Sequence, residues 1–220
     1  DILKLDKLIL VVNITLKCNG SISDAPNPPE LVNWTDRAVD KNVLDEKKCA
    51  ANWAISAVGA VEGLYAIEAK SLQTLRPAVV DCSGDYGNEG CGGGFMEQAY
   101  WYVIDNGMAS EKSYPYTGIN KPADILNLKK LLNWVDGKVP SGVYNKLISA
   151  VVQQPVAVAV ASANLCYTKE IFDSDCLTDL DRGMLLVGYG TEGDEHYWIL
   201  KNSLGLGWGE RGYIRLKRTE

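Results

Sequence analysis

The first half of the chain carries the hydrophobic spacing of buried helices. Between Trp53 and Ala69 there is no proline, and apolar residues recur at the spacing that predicts a largely buried helix. Its apolar positions include Ile55, Val58, Val61, Leu64, Tyr65 and Ile67. Further helices are predicted from Phe95 to Asn106, where an Asn-Gly pair is a stop signal, and from Ser141 to Val152. Asn52 precedes the first helix, and we expect it to be the N-cap.

After Pro155 the pattern changes to short β-prone runs set between glycine turns. These runs are Val156 to Ala161, Met184 to Tyr189, Tyr197 to Leu200 and Tyr213 to Leu216. Helices followed by strands predict an α+β fold with two lobes. Near the N-terminus, Leu8 to Val12 is a further apolar run, expected to be an edge strand or a retained piece of a propeptide. It is far shorter than the roughly 18 apolar residues of a membrane span, so none is predicted.

Residues 46 to 56 read Glu-Lys-Lys-Cys-Ala-Ala-Asn-Trp-Ala-Ile-Ser. This segment resembles the nucleophile site of papain-like cysteine proteases, with Asn52 where the attacking thiol stands in that family. A carboxamide has no titratable proton and little nucleophilicity, so it cannot form an acyl-enzyme. The resemblance therefore implies the shape of a protease without its nucleophile.

The partner positions of the resembled catalytic site are altered as well. Arg182, between Leu180 and Met184, occupies the position of the catalytic imidazole, and an arginine does not exchange protons at physiological pH. Glu46 replaces the glutamine of the oxyanion hole with a carboxylate that would repel a developing oxyanion. Asn202 matches the asparagine that orients the imidazole. The resemblance thus implies no catalytic residue, only degenerate positions at Glu46, Asn52, Arg182 and Asn202.

In the family these positions face each other across the floor of a cleft. We therefore expect Arg182 and Glu46 to form a hydrogen-bonded or water-bridged pair that holds the lobes together. The alternative is that Arg182 turns to solvent or pairs with the adjacent Asp181.

The resemblance extends over most of the chain and has a cathepsin L-like character. Matching segments are Pro28 to Trp34, Val80 to Cys82, Gly90 to Met96, Ser113 to Tyr116, Gln154 to Val158 and Gly205 to Arg215. It implies a papain-like α+β fold in which a mainly helical lobe, about residues 28–138, faces a mainly β-barrel lobe, about residues 139–220. Residues 1–27 are then an N-terminal extension or a propeptide remnant.

The glycine run beside the resembled cleft is a candidate for ligand binding. Gly93 and Gly94 have the backbone that pairs with an extended peptide in the family, and Phe95 and Met96 form the apolar wall beside it. One possible occupant is the extension formed by residues 1–27. The other reading is that the glycines only form a tight turn and that the extension packs elsewhere.

The chain has six cysteines, which favours an oxidising compartment. The resemblance implies that Cys49 pairs with Cys91. The economical pairings of the others are Cys166 with Cys176 and Cys18 with Cys82, although the sequence alone does not establish connectivity. There is no Cys-x-x-Cys or clustered Cys/His spacing, so we expect no metal and no cofactor.

Sequons at Asn13, Asn19 and Asn33 also favour secretion and glycosylation. The net charge of −6 argues against nucleic acid or anionic membranes as partners. The expected location is therefore secreted or endolysosomal and vesicular, with a protein or peptide as the partner.

Two functions fit these residues. The leading hypothesis is a non-catalytic papain-like pseudoprotease that acts by binding, as a scaffold or a decoy. The alternative is an active papain-family peptidase with a non-standard nucleophile, for which Ser56 or Ser203 would need His196, the only histidine, as its base.

Overall fold

The structure is a computed structural model that describes residues 3–12, 28–121, 132–139, 144–162, 167–173 and 179–218. The helices are α1 (Asn52–Ala69), α2 (Val79–Cys82), α3 (Met96–Asn106) and α4 (Tyr144–Gln153). The strands are β1 (Leu3–Val12), β2 (Val32–Asn33), β3 (Leu75–Arg76), β4 (Ala109–Ser110), β5 (Leu132–Val139), β6 (Val156–Val160), β7 (Ile171–Phe172), β8 (Arg182–Glu192), β9 (Glu195–Lys201) and β10 (Tyr213–Lys217). Helices thus predominate in the first half and strands in the second, as the hydrophobic pattern predicted.

Most strands belong to one mixed sheet of eight strands, in the order β5-β1-β6-β8-β9-β10-β7, with β2 paired to β8. The centre of the sheet is antiparallel, from β6 through β8 and β9 to β10. Strand β8 is buried along most of its length because α1 covers it. This packing places the first residue of β8 beside the first turn of α1.

Helix α1 is the apolar centre of the molecule, as its sequence predicted. Leu64 and Val61 are almost fully buried, as are Leu186 of β8 and Leu200 of β9. Gly63 lies so close to the chain before β6 that a Cβ atom would be 2.5 Å from Pro155 Cγ. Any larger residue at position 63 would push helix and sheet apart.

The N-terminal run was expected to be an edge strand or a retained piece of a propeptide. It does form a strand, but the edge position is wrong, and the propeptide origin stays a prediction. Leu8 to Val12 belongs to β1, which lies inside the sheet because β5 pairs with it on one side and β6 on the other. The expectation missed β5, whose sequence is interrupted by Asp136-Gly137 and so lacks a clear strand pattern. Residues 13–27 lie outside the described part of the chain.

The disulfide between Cys49 and Cys91 is present, as expected. The predicted pairing of Cys82 with Cys18 is wrong, because Cys82 is a free thiol. Burial raises the pKa of Cys82, and its side chain shares a hydrogen bond with Tyr102 of α3. It therefore packs within the helical part of the protein.

The remaining cysteines, Cys18, Cys166 and Cys176, lie outside the described residues. Next to Cys82, the Asp81 carboxylate accepts hydrogen bonds from the Tyr114 hydroxyl at 2.8 Å and the Lys121 backbone N–H at 2.7 Å. These bonds hold the segment after α3 against α2 without a covalent link at Cys82.

Among the described helices, none combines the length and the apolar character needed to cross a bilayer.

Glu210 joins the turn before β10 to the loop before β7, and this arrangement makes stability depend on pH. Its carboxylate accepts hydrogen bonds from Arg215 at 2.9 Å and from the Tyr167 hydroxyl at 2.8 Å. Burial alone would raise the pKa of Glu210, but the bonds from Arg215 and Tyr167 hold the pKa below its ordinary value. The stabilisation is therefore present at neutral pH and is lost as pH falls through the folded-state pKa.

We predict that Glu210→Gln lowers the free energy of unfolding at neutral pH by about 1 kcal/mol, because one charge-assisted pair is weakened. The difference from the parent should shrink in acid, measured by urea unfolding between about pH 7 and about pH 3. Glu195→Gln is the control, because Glu195 makes only a 3.7 Å ion pair with Lys217 at the surface. A gap that stays constant with pH would contradict this assignment.

Candidate functional site

Arg182 and Glu46 form an ion pair between the start of β8 and the loop before α1. Arg182 Nη1 donates to Glu46 Oε1 at 2.8 Å and to Asn202 Oδ1 at 3.4 Å. The Glu46 side chain is 6% exposed and that of Arg182 is 21% exposed. The predicted contact is therefore present and largely shielded from water. Asp181 instead accepts from the backbone N–H of Ser162 at 2.6 Å and from its hydroxyl at 2.9 Å.

The backbone of Glu46 is held from several sides. Its N–H donates to the carbonyl of Ser203 at 2.8 Å, and its carbonyl accepts from the Tyr116 hydroxyl at 3.1 Å. Burial, followed by the nearby Glu46 charge, raises the pKa of Tyr116 to about 12, so the phenol remains a donor at neutral pH. Cys49, three residues later, is fixed by its disulfide with Cys91. The carboxylate thus projects from a rigid loop, although its Oε2 atom is buried without a hydrogen-bond partner among the described residues.

Asn52 does not cap α1, so that expectation was wrong. Ala51 is the N-cap, and Asn52 is the first helical residue. Its Oδ1 atom accepts a hydrogen bond from the Gly183 backbone N–H at 2.8 Å. The Asn52 side chain thus accepts a hydrogen bond from the sheet and does not cap its own helix.

Glycine at position 183 makes this approach possible. A Cβ atom there would be 2.7 Å from Ser56 Oγ and 3.0 Å from the Asn52 carbonyl oxygen, which is closer than a side chain can pack. The motif around Arg182 was visible in the sequence, but the role of the Gly183 N–H was not, because it depends on how β8 packs against α1.

A pocket of about 350 Å³ lies in front of this contact. Its lining residues are Asn52, Trp53, Gly94, Phe95, Met96, Glu97, Ala159, Leu180, Asp181, Arg182 and Gly183. Three of the four predicted ligand-binding residues are among them. Gly93 is not, and its φ of 124° shows that it serves the turn beside the pocket. Sequence reasoning missed the Ala159 and Leu180 parts of the wall.

The backbone of the described part of the extension does not pair with the glycine run beside this pocket. Residues 3–12 form β1, which pairs with β5 and β6 in the sheet. The reading in which the extension packs elsewhere therefore holds for these residues.

A smaller cavity of about 50 Å³, lined by both polar and apolar residues, lies on the other side of the Asn52–Gly183 hydrogen bond. Both residues line the cavity and the pocket, so their hydrogen bond lies between the two spaces. Asn202 Nδ2 and Ser203 Oγ, on residues that line the cavity, are buried and lack a hydrogen-bond partner in the described part of the chain. A space of this size beside such groups is large enough to hold a water molecule.

The residues proposed for a displaced nucleophile are not arranged for catalysis. Ser56 is 3% exposed, and its hydroxyl donates back to the Trp53 carbonyl at 3.1 Å. His196 lies in the β8–β9 hairpin, where its Nδ1 atom is 2.8 Å from the Thr191 hydroxyl. It lines neither the pocket nor the cavity.

Of the three sequons, only the one at Asn33 lies in the described residues. Asn33 is half-buried, and its Oδ1 atom accepts from the backbone N–H and the hydroxyl of Thr35. Glycosylation at Asn13, Asn19 and Asn33 stays a prediction. Within the described ranges, no group of three or more His, Cys, Asp or Glu side chains is placed to hold a metal ion.

Residues 28–220 match the family model described as papain family cysteine protease. The chain belongs to the papain family. It is 39% identical over 198 residues to cysteine proteinase RD21A of Arabidopsis thaliana, a match that covers 87% of this chain and 43% of the relative. It is 41% identical over 205 residues to a cathepsin L-like protein of Caenorhabditis elegans, covering 87% of this chain and 60% of the relative.

The fold of this papain-family chain is similar to that of digestive procathepsin L 3 from the larval midgut of Tenebrio molitor. The TM-score is 0.81 at 38% identity, and the match covers 94% of this chain and 70% of that one. The expected two-lobe α+β papain fold is thereby confirmed. The chain spans only 43% to 60% of the length of the two relatives compared above.

We predict that Arg182→Met lowers the free energy of unfolding by about 3 kcal/mol, because it leaves the Glu46 charge buried without a partner. The double variant Glu46→Leu/Arg182→Met should recover most of this loss, since it removes both charges. Urea unfolding of the parent, both single variants and the double variant gives the coupling. Additive effects of the single changes would show that the two charges do not depend on each other.

We predict that Asn52→Ala lowers the free energy of unfolding by about 1 to 2 kcal/mol, because the buried Gly183 N–H loses its acceptor. Asn52→Asp keeps an acceptor oxygen at the same position, and a carboxylate is favourable at a helix N-terminus. The free energy of unfolding of this variant should therefore be close to that of the parent. Hydrogen exchange of the Gly183 amide checks the mechanism, with faster exchange expected in Asn52→Ala only. Equal protection in all three proteins would remove the proposed role of Asn52.

Proposed function

We propose that this papain-family chain is a non-catalytic pseudoprotease that acts by binding. The single observation that carries the proposal is the contact between Arg182 and Glu46. At the positions where the family resemblance calls for a proton-transferring imidazole and a neutral oxyanion donor, the chain has a permanent cation bonded to a carboxylate. Neither group can perform the step that the position requires.

The position assigned to the nucleophile supports the same proposal. Asn52 Oδ1 is occupied by the Gly183 N–H, so its side chain serves as a hydrogen-bond acceptor between helix and sheet. A carboxamide is a poor nucleophile, and one bonded in this way is not placed for covalent attack. Asn202 keeps its family position but is bonded to Arg182 and to the Ser203 backbone N–H in place of an imidazole.

The binding surface proposed for this function is the pocket bordered by Gly94, Phe95 and Met96. Phe95 is 65% exposed and offers apolar surface at the pocket, whereas Met96 is 6% exposed and lies behind it. Peptide binding needs only backbone groups and an apolar wall, so it does not require the catalytic residues. The partner is a protein or peptide, and the chain acts as a scaffold or a decoy.

The proposed setting is a secreted or endolysosomal and vesicular compartment. The disulfide between Cys49 and Cys91 supports an oxidising environment. The alternative of an active peptidase finds no support at Ser56, whose hydroxyl is buried in α1, or at His196, which lies in a distant hairpin.

We predict that the purified protein hydrolyses no peptide substrate above background between about pH 4 and about pH 8, because nucleophile, base and oxyanion donor are all missing. Asn52→Cys alone should remain inactive in turnover assays, although its thiol could react with alkylating reagents beside the Arg182 cation.

The matched control is the triple variant Glu46→Gln/Asn52→Cys/Arg182→His, which returns all three positions to the family residues. We expect measurable hydrolysis from this variant, followed with a fluorogenic peptide library. Turnover by the parent protein, or by Asn52→Cys alone, would overturn the proposed function.

A further inference from the structure

Arg182 forms one end of the pocket and still has hydrogen-bond donors to offer. Arg182 lines the pocket, whereas its ion-pair partner Glu46 does not line it and is only 4% exposed. Both side-chain bonds of the guanidinium to the described residues, to Glu46 and Asn202, start from Nη1. Within the described ranges the Nε and Nη2 donors have no acceptor, and they lie at the end of the pocket.

The rest of the lining offers apolar contact and a backbone edge. Phe95, Met96, Ala159 and Leu180 supply the apolar surface, and Gly94 leaves its backbone uncovered by a side chain. The ligand that fits must combine an apolar segment with an acceptor group at its end. A peptide with apolar side chains and a free C-terminal carboxylate has both features in this order.

Two acidic residues of the lining, Asp181 and Glu97, oppose an anion. Asp181 is exposed and already accepts two hydrogen bonds from Ser162, so its charge is partly compensated and partly screened by solvent. A carboxylate that contacts Arg182 would form charge-assisted hydrogen bonds, which are stronger than bonds between neutral groups. A ligand with a terminal ammonium would instead bring a cation against the guanidinium.

We propose that Arg182 recognises the free C-terminal carboxylate of an apolar peptide bound in this pocket. The guanidinium thus anchors a chain end at the position where the family resemblance places a proton-transferring imidazole. The proposal rests on the proposed non-catalytic function and names the chemistry of its ligand.

The test uses the full protein and the tetrapeptide acetyl-Gly-Leu-Leu-Gly, with a free carboxylate or as the C-terminal amide. The leucines supply apolar contact, and the terminal glycine lets the carboxylate approach Arg182. In calorimetric titrations we expect the acid to bind at least about tenfold more tightly than the amide, because a hydrogen bond to a charged group is lost in the amide. This preference should weaken as salt is added.

Three variants test whether the preference for the acid over the amide depends on Arg182. Glu46→Gln/Arg182→Gln removes both charges together, so no unpaired buried carboxylate destabilises the fold, and it should bind acid and amide equally. Arg182→Lys keeps the cation and should retain part of the preference. Arg211→Gln removes one exposed charge outside the pocket and should change nothing.

The apolar wall is tested separately. Phe95→Ala should weaken both peptides, whereas Trp101→Ala, another exposed aromatic residue of this region but outside the lining, should not. Equal binding of acid and amide by the parent would overturn the carboxylate proposal while leaving peptide binding in place.

Two other results also overturn the carboxylate proposal. One is preference for an otherwise identical peptide with a free N-terminal amine and an amidated end, since the acidic lining would then decide the ligand. The other is the absence of binding at about 1 mM peptide. The hydrolysis assay judges the non-catalytic function independently of these outcomes.

Discussion

The arrangement of the two lobes depends on a buried pair of charges that must remain together. Glu46 projects from a loop tied to the disulfide, and Arg182 projects from the first residue of the central strand. Separating them would leave a carboxylate with almost no access to water, which is far more costly than keeping the pair. Under the proposed function, this ion pair keeps the two lobes in contact at the floor of the cleft.

The hydrogen bond between the Asn52 side chain and the Gly183 backbone is a second contact beside this ion pair, and it lies between the pocket and the cavity. On one side is the pocket beside Phe95 and Met96, and on the other is a smaller cavity lined in part by Asn202 and Ser203, whose side chains carry buried groups without a hydrogen-bond partner among the described residues. The proposed binding function is consistent with this arrangement, because a pocket that is already formed loses little conformational freedom when it is occupied.

In the helical lobe, hydrogen bonds and not a disulfide position the segment next to Cys82. Cys82 remains a thiol, packed beside Tyr102, and the neighbouring Asp81 holds the segment around Tyr114 and Lys121 through its two carboxylate oxygens. Hydrogen bonds between nearby groups thus position this segment without a covalent link at Cys82. Cys49 and Cys91, by contrast, are joined by a disulfide, which fixes the loop that carries Glu46.

The sequence by itself predicted three of the described helices and the central strands from their hydrophobic spacing, and the family from its ordered motifs. The sequence also pointed to Glu46, Asn52 and Arg182 as positions where the side chain differs from that of the resembled catalytic site. It also suggested the contact of Glu46 with Arg182, since opposite charges at facing positions attract. It could not identify the partner of Asn52, the Leu180 wall or the interior place of β1. Those depend on how close β8 lies to α1 and on which strands meet in the sheet, and only tertiary packing decides such distances.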